Sequence, residues 1–433
     1  MTSPRTKAAL LACALALLSP EAARAADPAA SVAVHCGRLI DGRHATPSDD
    51  VTILVEGDRI RQIGRGLATP PGASVIDLGR ATCLPGLIDN HTHILLQGDI
   101  TNAEYEDQLL KESIPYRTIR ATMAARTALE HGFTTMRDLE TEGAMYADVD
   151  VKTAINRGVI PGPRLFVATR ALAPTGMYPL TGYSWELRVP EGVQIADGVD
   201  GVRRAVREQV KYGADWIKYY SDRRYFMRDG ALHSWANYSD EEAAALVGEA
   251  HRLGRKVAAH AMGREGIESA LRAGADTIEH GYGLDEQLMD VMIRQGAYWC
   301  PTIFVGAYVA EGRAAAGAPI WKTMVDVARQ AFGQAVRKGV KISYGTDAGG
   351  YPWTESQARE LSYMVRYGMT PMQAIQSATS VAAALLDQQD SLGSLEPGRF
   401  ADVIAVAGDP LRDVAELERV RFVMKGGEIV KRP

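Results

Sequence analysis

The most constraining feature of this 433-residue sequence is a series of eight short apolar runs that alternate with amphipathic helical patterns. The runs cover residues 84–93, 133–138, 164–168, 216–220, 257–260, 276–280, 298–302 and 342–347. Such runs are typical of strands, and strands that alternate with helices favour a parallel sheet. Eight units predict an α/β fold, namely a (β/α)8 TIM barrel. In that barrel the chemistry takes place at the carboxyl ends of the strands.

The segments on either side of this region have a different pattern. Residues 26–82 and 391–433 contain short β-type runs separated by glycine-containing turns. Two all-β ends around an α/β centre predict one small β-sandwich domain built from both termini. We therefore expect the barrel to occupy residues 83–390.

The first 25 residues predict a secretory signal peptide. Arg5 and Lys7 precede an uncharged apolar run over residues 8–18, and residues 23–25 read Ala-Arg-Ala, which is typical of a cleavage site. The apolar run is too short to span a membrane as a stable helix. We therefore expect a soluble protein that is periplasmic or secreted.

The cysteines add little to this expectation. Cys13 lies within the predicted signal peptide, in a stretch that weakly resembles a lipoprotein cleavage site, so lipid anchoring there is an alternative to a free chain. The other three, Cys36, Cys83 and Cys300, are odd in number and widely spaced. Such a set does not predict a disulfide framework.

Histidines at the ends of the predicted strands indicate a metal site. His91 and His93 stand two residues apart, and alternate residues of a strand face the same side. His260 and His280 end the fifth and sixth runs. Each of these two alone is more typical of a hydrogen-bonded core histidine. Together with the first pair they predict a site for zinc-like ions, for which imidazole is the commonest neutral ligand.

Lys218 and Asp347 supply two further groups at strand ends. Lys218 stands in an aromatic strand-like run, where desolvation lowers the pKa of an amine and makes it nucleophilic. An amine of that kind can capture carbon dioxide as a carbamate that bridges two metal ions. Asp347 ends the eighth run, where a carboxylate can act as general base. The alternatives are an ion-paired lysine and a helix-capping aspartate.

This set of residues resembles the amidohydrolase superfamily of metal-dependent hydrolases. Residues 370–375 and 392–402 also look like signatures of that family, and the resemblance covers essentially the whole mature chain. Within the superfamily the sequence is most similar to the imidazolonepropionase-like and Xaa-Pro dipeptidase branch, which includes aminoacyl dipeptidases and ochratoxin-type amidohydrolases. Branch members often carry a histidine in the loop after strand three, whereas residues 174–179 contain none.

The resemblance implies a cofactor of two divalent ions and a role for each matching residue. His91 and His93 would hold the more buried α ion together with Asp347, and His260 and His280 would hold the β ion. Carboxylated Lys218 would bridge the ions, which would activate a shared hydroxide while Asp347 moves the proton. Zinc, manganese and cobalt suit such donors with overlapping affinity, and zinc is our expectation.

Residues that recognise the substrate are less clearly marked. Tyr220 points to the same side of its strand as Lys218 and is the predicted contact for a substrate carbonyl or carboxylate. Arg223 and Arg224 follow and are candidates for binding a terminal carboxylate, with a solvated loop as the alternative. Five aromatic residues form either an apolar pocket or a lid or oligomer contact: Tyr178, Tyr183, Trp185, Tyr225 and Phe226.

These features favour an exported binuclear amidohydrolase that cleaves an amide bond next to a free carboxylate, as in dipeptides or N-acyl amino acids. A cyclic-amide hydrolase of the imidazolonepropionase kind is the first alternative, and a non-catalytic metal-binding protein is the second. A net charge of −5 without a basic run excludes nucleic acid as a partner. We also expect no membrane partner and a homo-oligomer.

Overall fold

A computed structural model describes residues 31–98, 100–178, 180 and 182–433. The predicted signal peptide, Cys13 and Pro179 lie outside these described residues. The strands are β1 Ser31–Leu39, β2 Ser48–Glu56, β3 Arg59–Gly64, β4 Ser74–Pro85, β5 Leu87–Thr92, β6 Phe133–Asp138, β7 Arg164–Val167, β8 Leu172–Ala173, β9 Gln194–Ile195, β10 Trp216–Tyr220, β11 Asp222–Arg228, β12 Ala231–Ala236, β13 Lys256–Ala261, β14 Thr277–His280, β15 Tyr298–Cys300, β16 Lys341–Ile342, β17 Val403–Val406, β18 Phe422–Lys425 and β19 Glu428–Lys431.

The helices lie mainly between the strands of the central region. They are α1 Asn102–Lys111, α2 Ile114–Glu130, α3 Ala147–Asn156, α4 Gly198–Lys211, α5 Asp240–Arg252, α6 Arg264–Ala273, α7 Glu286–Gln295, α8 Ile303–Ala315, α9 Ile320–Lys338, α10 Arg359–Arg366, α11 Pro371–Ser377 and α12 Ser380–Leu385, with a short 3-10 helix at Val414–Arg419. None of the helices in the described part of the chain is long and apolar enough to cross a membrane.

Glycines in the left-handed conformation end three of these helices just before the next strand. Gly274, Gly296 and Gly339 have φ angles of 90°, 73° and 79° and follow α6, α7 and α9. A residue without a Cβ adopts this conformation at little cost and lets the backbone turn sharply. The turns bring the chain back for β14, β15 and β16, whose far ends carry site residues.

Each of the eight predicted runs overlaps a strand, the eighth only at Ile342, and the α/β class is confirmed. Strands β5, β6 and β7 form one parallel sheet, and β10, β13, β14, β15 and β16 form another that also includes β8 and β9. Backbone hydrogen bonds join the two sheets on both sides. Asp215 N donates to Val167 O at 2.8 Å, and Asp347 N donates to His91 O at 2.7 Å. The carboxyl ends of these strands therefore lie together.

Strands from both ends of the described chain pair in one seven-stranded sheet, in the order β19-β18-β17-β4-β1-β2-β3. Its core is an apolar cluster that includes Val34, Ile53 and Phe422, each fully buried. We call this element the terminal sheet. A second layer that would make it a sandwich stays a prediction.

The terminal sheet contains a disulfide bond that the cysteine spacing did not predict. Cys36 in β1 and Cys83 in β4 are bonded, with their Cα atoms 5.9 Å apart, and both are fully buried. The cysteine spacing gave no sign of a disulfide framework, and this single bond was therefore missed. The reason is that β1 and β4 are neighbours in the sheet although their cysteines are 47 residues apart in sequence. Cys300 is free and buried.

Candidate active site

The histidines predicted from the strand ends converge in the structure. The Nε2 atoms of His91 and His93 are 3.3 Å apart, and Asp347 Oδ1 lies 3.0 Å from His93 Nε2 and 3.6 Å from His91 Nε2. The ring of His280 is centred 4.9 Å from that of His91 and 4.6 Å from that of His260. All four histidines are at least 95 % buried. Five predicted residues from four different strand ends thus meet in one place.

Hydrogen bonds on the outer side of two rings leave one nitrogen of each facing the centre of this cluster. His91 donates from Nδ1 to Glu279 Oε2 at 2.7 Å, and His280 Nδ1 lies 2.7 Å from Thr302 Oγ1. When one nitrogen of a neutral imidazole carries the proton and donates it in a hydrogen bond to an oxygen, the other nitrogen keeps a free lone pair. Nε2 of both residues is therefore available to a metal ion.

The other two histidines are held in a similar way but by different groups. His93 Nδ1 lies 3.3 Å from the carbonyl oxygen of Glu140 and 3.6 Å from Glu142 Oε1. His260 shares a 2.6 Å hydrogen bond between Nε2 and the hydroxyl of Tyr225, which leaves Nδ1 for the cluster. Outer partners that fix ring orientation in this manner are characteristic of metal sites.

Burial keeps three of the four rings neutral. Burial lowers the pKa of His91 to about 4 and holds the pKa values of His260 and His280 well below their usual range. For His93 burial acts in the same direction, but the hydrogen bond to Asp347 outweighs it and raises the pKa to about 10. Asp347 thus attracts a positive charge to the position that a metal ion would take.

Two of the converging residues have unusual backbone angles. Asp347 has a φ of 60° and His280 a φ of 69°, in the left-handed region that residues with a Cβ seldom adopt. The conformation of Asp347 is held by the bond from its own N–H to His91 and by Asp89, which accepts from Thr346 N at 3.0 Å. Such strain is typical of functional positions.

Lys218 lies in the wall of a cavity that His93, His260, His280 and Asp347 also line. It is 1 % exposed, and among the described residues its ammonium forms no hydrogen bond or ion pair. Burial lowers its pKa, although the carboxylates of Glu279, Glu140 and Asp347 oppose that shift. A lysine kept from water without a close partner is costly, which makes a structural role a poor account of its presence.

Tyr220 lines the cavity together with Lys218, but its hydroxyl already forms a hydrogen bond. It donates to Glu140 Oε2 at 2.6 Å, and the second oxygen of Glu140 is buried without a hydrogen-bond partner among the described residues. Burial, followed by the nearby Glu140, holds the pKa of Tyr220 well above its usual range. Tyr220 therefore keeps its proton.

The substrate candidates fall into two groups. Arg223 lines the cavity, with its guanidinium carbon 4.2 Å from the ring centre of Tyr178, which also lines it. Arg224 does not line the cavity. Of the other aromatic candidates, Tyr225 bonds His260, whereas Tyr183, Trp185 and Phe226 lie outside the cavity lining; Trp185 is 91 % exposed.

Several buried residues at the site escaped sequence interpretation. Arg137 donates to Glu279 Oε1 at 2.8 Å and to Asn90 O at 2.6 Å, and it lies over the ring of Trp216. Burial alone would raise the pKa of Glu279, but Arg137 and His91 outweigh it and hold that pKa well below its usual range. Asp138, which ends the second run, and the acidic residues Glu140 and Glu142, which come after it at every other position, were a signal that could have been used.

The donor set at this site fits divalent metal ions. Ligand atoms of His91, His280 and Asp347 all lie within 4.8 Å of one another, as do those of His93, Glu140 and Glu142. Imidazole nitrogens combined with carboxylate oxygens suit zinc, manganese and cobalt. The geometry is that of a metal-dependent hydrolase at the carboxyl ends of parallel strands.

Comparison with known proteins supports the same class. The amidohydrolase family model matches residues 82–430. Ochratoxinase from Aspergillus niger is 32% identical over 94% of this chain and 88% of its own length. Imidazolonepropionase from Deinococcus deserti is 26% identical over 86% of this chain and 89% of its own. The crystal structure of a Xaa-Pro dipeptidase with bound methionine in the active site is 35% identical, with a TM-score of 0.84 over 92% of this chain and 99% of that one.

The chain therefore belongs to the amidohydrolase family. It is a hydrolase, a dipeptidase-like amide hydrolase, and it binds metal as the family does.

Proposed function

We propose that this protein is a binuclear metal-dependent amidohydrolase that cleaves an amide or peptide bond next to a free carboxylate. One observation carries the proposal. His93, His260, His280, Asp347 and Lys218 line one cavity, and His91 lies directly beside His93. Arg223 also lines this cavity and forms no ion pair with the residues that the structure describes.

The proposed ligand assignment is the one that the family resemblance implies. His91, His93 and Asp347, which lie within 3.0–3.6 Å of one another, would hold the α ion, and His260 and His280, with ring centres 4.6 Å apart, would hold the β ion. Two ions, zinc in our proposal, would supply a Lewis acid for the scissile carbonyl and lower the pKa of water between them.

Lys218 is the proposed bridge between the two positions. Because burial lowers its pKa, more of its amine is in the uncharged form that reacts with carbon dioxide to give a carbamate. Formation of the N–C bond releases one proton from the uncharged amine and gives a carbamate anion, so that the ammonium form loses two protons in all. An anion at this point would replace a buried positive charge that lacks a close partner.

Asp347 is the proposed proton carrier. It would accept a proton from the water that adds to the carbonyl carbon and pass it to the leaving nitrogen as the C–N bond breaks, which yields a carboxylic acid and an amine. Its position, 3.0 Å from His93 Nε2, keeps the carboxylate at the centre of the cluster.

Arg223 is the proposed receptor for the substrate carboxylate, because a guanidinium forms paired hydrogen bonds with a carboxylate. Tyr220 and Tyr178 beside it would shape the subsite. The names of similar proteins agree with this substrate class: one is a Xaa-Pro dipeptidase with bound methionine, an amino acid with a free carboxylate.

The finer features of the fold belong to the same proposal. We propose that the two parallel sheets form one closed (β/α)8 barrel over residues 83–390, which the hydrogen bonds on both sides of the sheets support. We further propose a sandwich arrangement around the terminal sheet, formed by residues 26–82 and 391–433.

We also propose that the protein is exported to the periplasm or secreted, acts on small molecules or dipeptides, and forms a homo-oligomer that binds neither nucleic acid nor membrane. The buried disulfide between Cys36 and Cys83 supports export, because disulfides persist in oxidising compartments.

The first test is the elemental metal content of the purified mature protein, together with a hydrolysis screen of dipeptides, N-acyl amino acids and cyclic amides. We expect two metal ions per chain and cleavage of linear amides with a free carboxylate. Cleavage of cyclic amides alone would favour the imidazolonepropionase-like alternative. Two metals without any cleavage would favour a non-catalytic metal-binding protein, and a protein that binds no metal would refute the proposal.

A further inference from the structure

The outer partners of the four histidines differ in charge between the two proposed metal positions. On the α side, His91 Nδ1 is bonded to the carboxylate of Glu279 at 2.7 Å. His93 Nδ1 is bonded to the carbonyl oxygen of Glu140 at 3.3 Å, and a carboxylate oxygen of Glu142 lies nearby at 3.6 Å. On the β side, His280 is bonded to the hydroxyl of Thr302. His260, the fourth histidine, also has a hydroxyl partner.

The hydroxyl that backs His260 belongs to Tyr225, at 2.6 Å. The nearest carboxylate is that of Asp222, with one oxygen 3.8 Å from His260 Nε2. That carboxylate already accepts hydrogen bonds from the backbone N–H groups of Met262 and Gly263, at distances of 2.8 to 3.1 Å. Both β histidines therefore depend on neutral groups for their orientation.

The carboxylate behind His91 is held in place from several directions. Glu279 accepts from Arg137 at 2.8 Å and from the hydroxyl of Thr277, and Arg137 lies with its guanidinium carbon 4.4 Å from the ring centre of Trp216. Both charged residues are fully buried. Because the pair cannot rotate without leaving a buried charge unpaired, Glu279 stays charged and aimed at His91.

We infer that the two metal positions differ in affinity, and that Glu279, through its hydrogen bond to His91, is the main positioning residue that makes the α position the tighter one, with the nearby charge of Glu142 adding a smaller contribution. A carboxylate that accepts the outer N–H of an imidazole makes the inner nitrogen a stronger donor and fixes its tautomer, whereas a hydroxyl does so more weakly. The inference rests on the proposed function, because it takes the four histidines as metal ligands.

The test uses the full mature chain loaded with Zn²⁺ and dialysed against buffers of decreasing free zinc, with zinc per chain as the readout. We expect the wild type to lose one zinc at a free concentration at least about tenfold higher than the second. In Glu279→Gln the affinity for the more tightly bound zinc should fall by roughly 10–100-fold, so that both ions dissociate at similar free zinc concentrations. In the matched control Thr302→Val the tighter zinc should be unchanged.

A second variant guards against loss of folding. Glu279→Gln removes the partner of Arg137, whereas Glu142→Gln leaves that ion pair intact and should still weaken the tighter zinc. Thermal unfolding without zinc reports whether each variant folds. Two zinc ions of equal affinity in the wild type, or a tight zinc retained in both folded glutamine variants, would overturn this inference alone. A wild-type chain that binds no zinc would refute the proposed function instead.

Discussion

The terminal sheet and the carboxyl ends of the parallel strands differ in the kind of side chain that they bury: apolar in the first and charged in the second. The core of the terminal sheet consists of apolar side chains and a disulfide. At the strand ends, by contrast, Asp89, Arg137, Lys218 and Glu279 are all at most 1 % exposed. Burying a charge costs free energy unless it is well partnered, so a cluster of this kind has to be explained by what it does.

From this contrast we expect substitutions in the two regions to change different properties. Substitutions at the strand ends should lower activity far more than the free energy of unfolding. Substitutions in the terminal sheet should lower the free energy of unfolding far more than activity.

Lys218→Ala should have the largest effect. Loss of the proposed bridge removes several kcal/mol of transition-state stabilisation, which corresponds to roughly a 10⁴-fold loss of kcat/KM. Zinc per chain should fall, and short carboxylic acids should restore part of the activity. Activity at the wild-type level would show that Lys218 is not the bridge. It would also contradict the expectation that charged side chains at the strand ends serve activity.

Asp347→Asn should retain zinc but lose turnover, because an amide does not accept and return the proton. We expect kcat to fall by about 10²–10³-fold, within the usual range for general acid–base groups. Metal analysis and steady-state kinetics on the same preparation separate the two effects. A variant with near-normal kcat and full zinc would exclude Asp347 as the proton carrier.

Arg223→Met should raise KM for substrates with a free carboxylate by about 10–100-fold, the usual worth of a hydrogen bond to a charged group. Arg224→Met is the matched control, since the neighbouring arginine does not line the cavity. Substrates whose carboxylate is converted to an amide should not distinguish Arg223→Met from the wild type. Equal KM values for both arginine variants would place the carboxylate elsewhere.

Replacing both Cys36 and Cys83 with alanine should leave kcat/KM unchanged and lower the free energy of unfolding by about 2–5 kcal/mol. Denaturant unfolding with and without reductant checks this, because only the wild type should respond to reductant. A marked fall in kcat/KM at temperatures where the variant is folded would show that the terminal sheet also shapes the site, against the comparison above.

Local patterns in the sequence predicted much of this molecule. Strand ends could be located because apolar runs and turn residues are local features, and the i, i+2 spacing of His91 and His93 follows from the pleat of a strand. The structure brings these two residues together with His260, His280 and Asp347, as their positions at strand ends suggested.

Contacts that depend on which strands are neighbours could not be predicted. Glu279 meets His91 across 188 residues of sequence, and Tyr220 meets Glu140 across 80. The disulfide between Cys36 and Cys83 has the same origin. Each contact is decided by the register between strands, which no local pattern in a single sequence reveals.

The hydrogen bond from Asp347 N to His91 O has a consequence for how the protein matures. His91 is made near the start of the parallel-strand region and Asp347 near its end, so neither group is in place until the whole region has been synthesised and has folded. A nascent or truncated chain would lack a complete set of ligands. Metal would then bind fully only to a chain that has completed its fold.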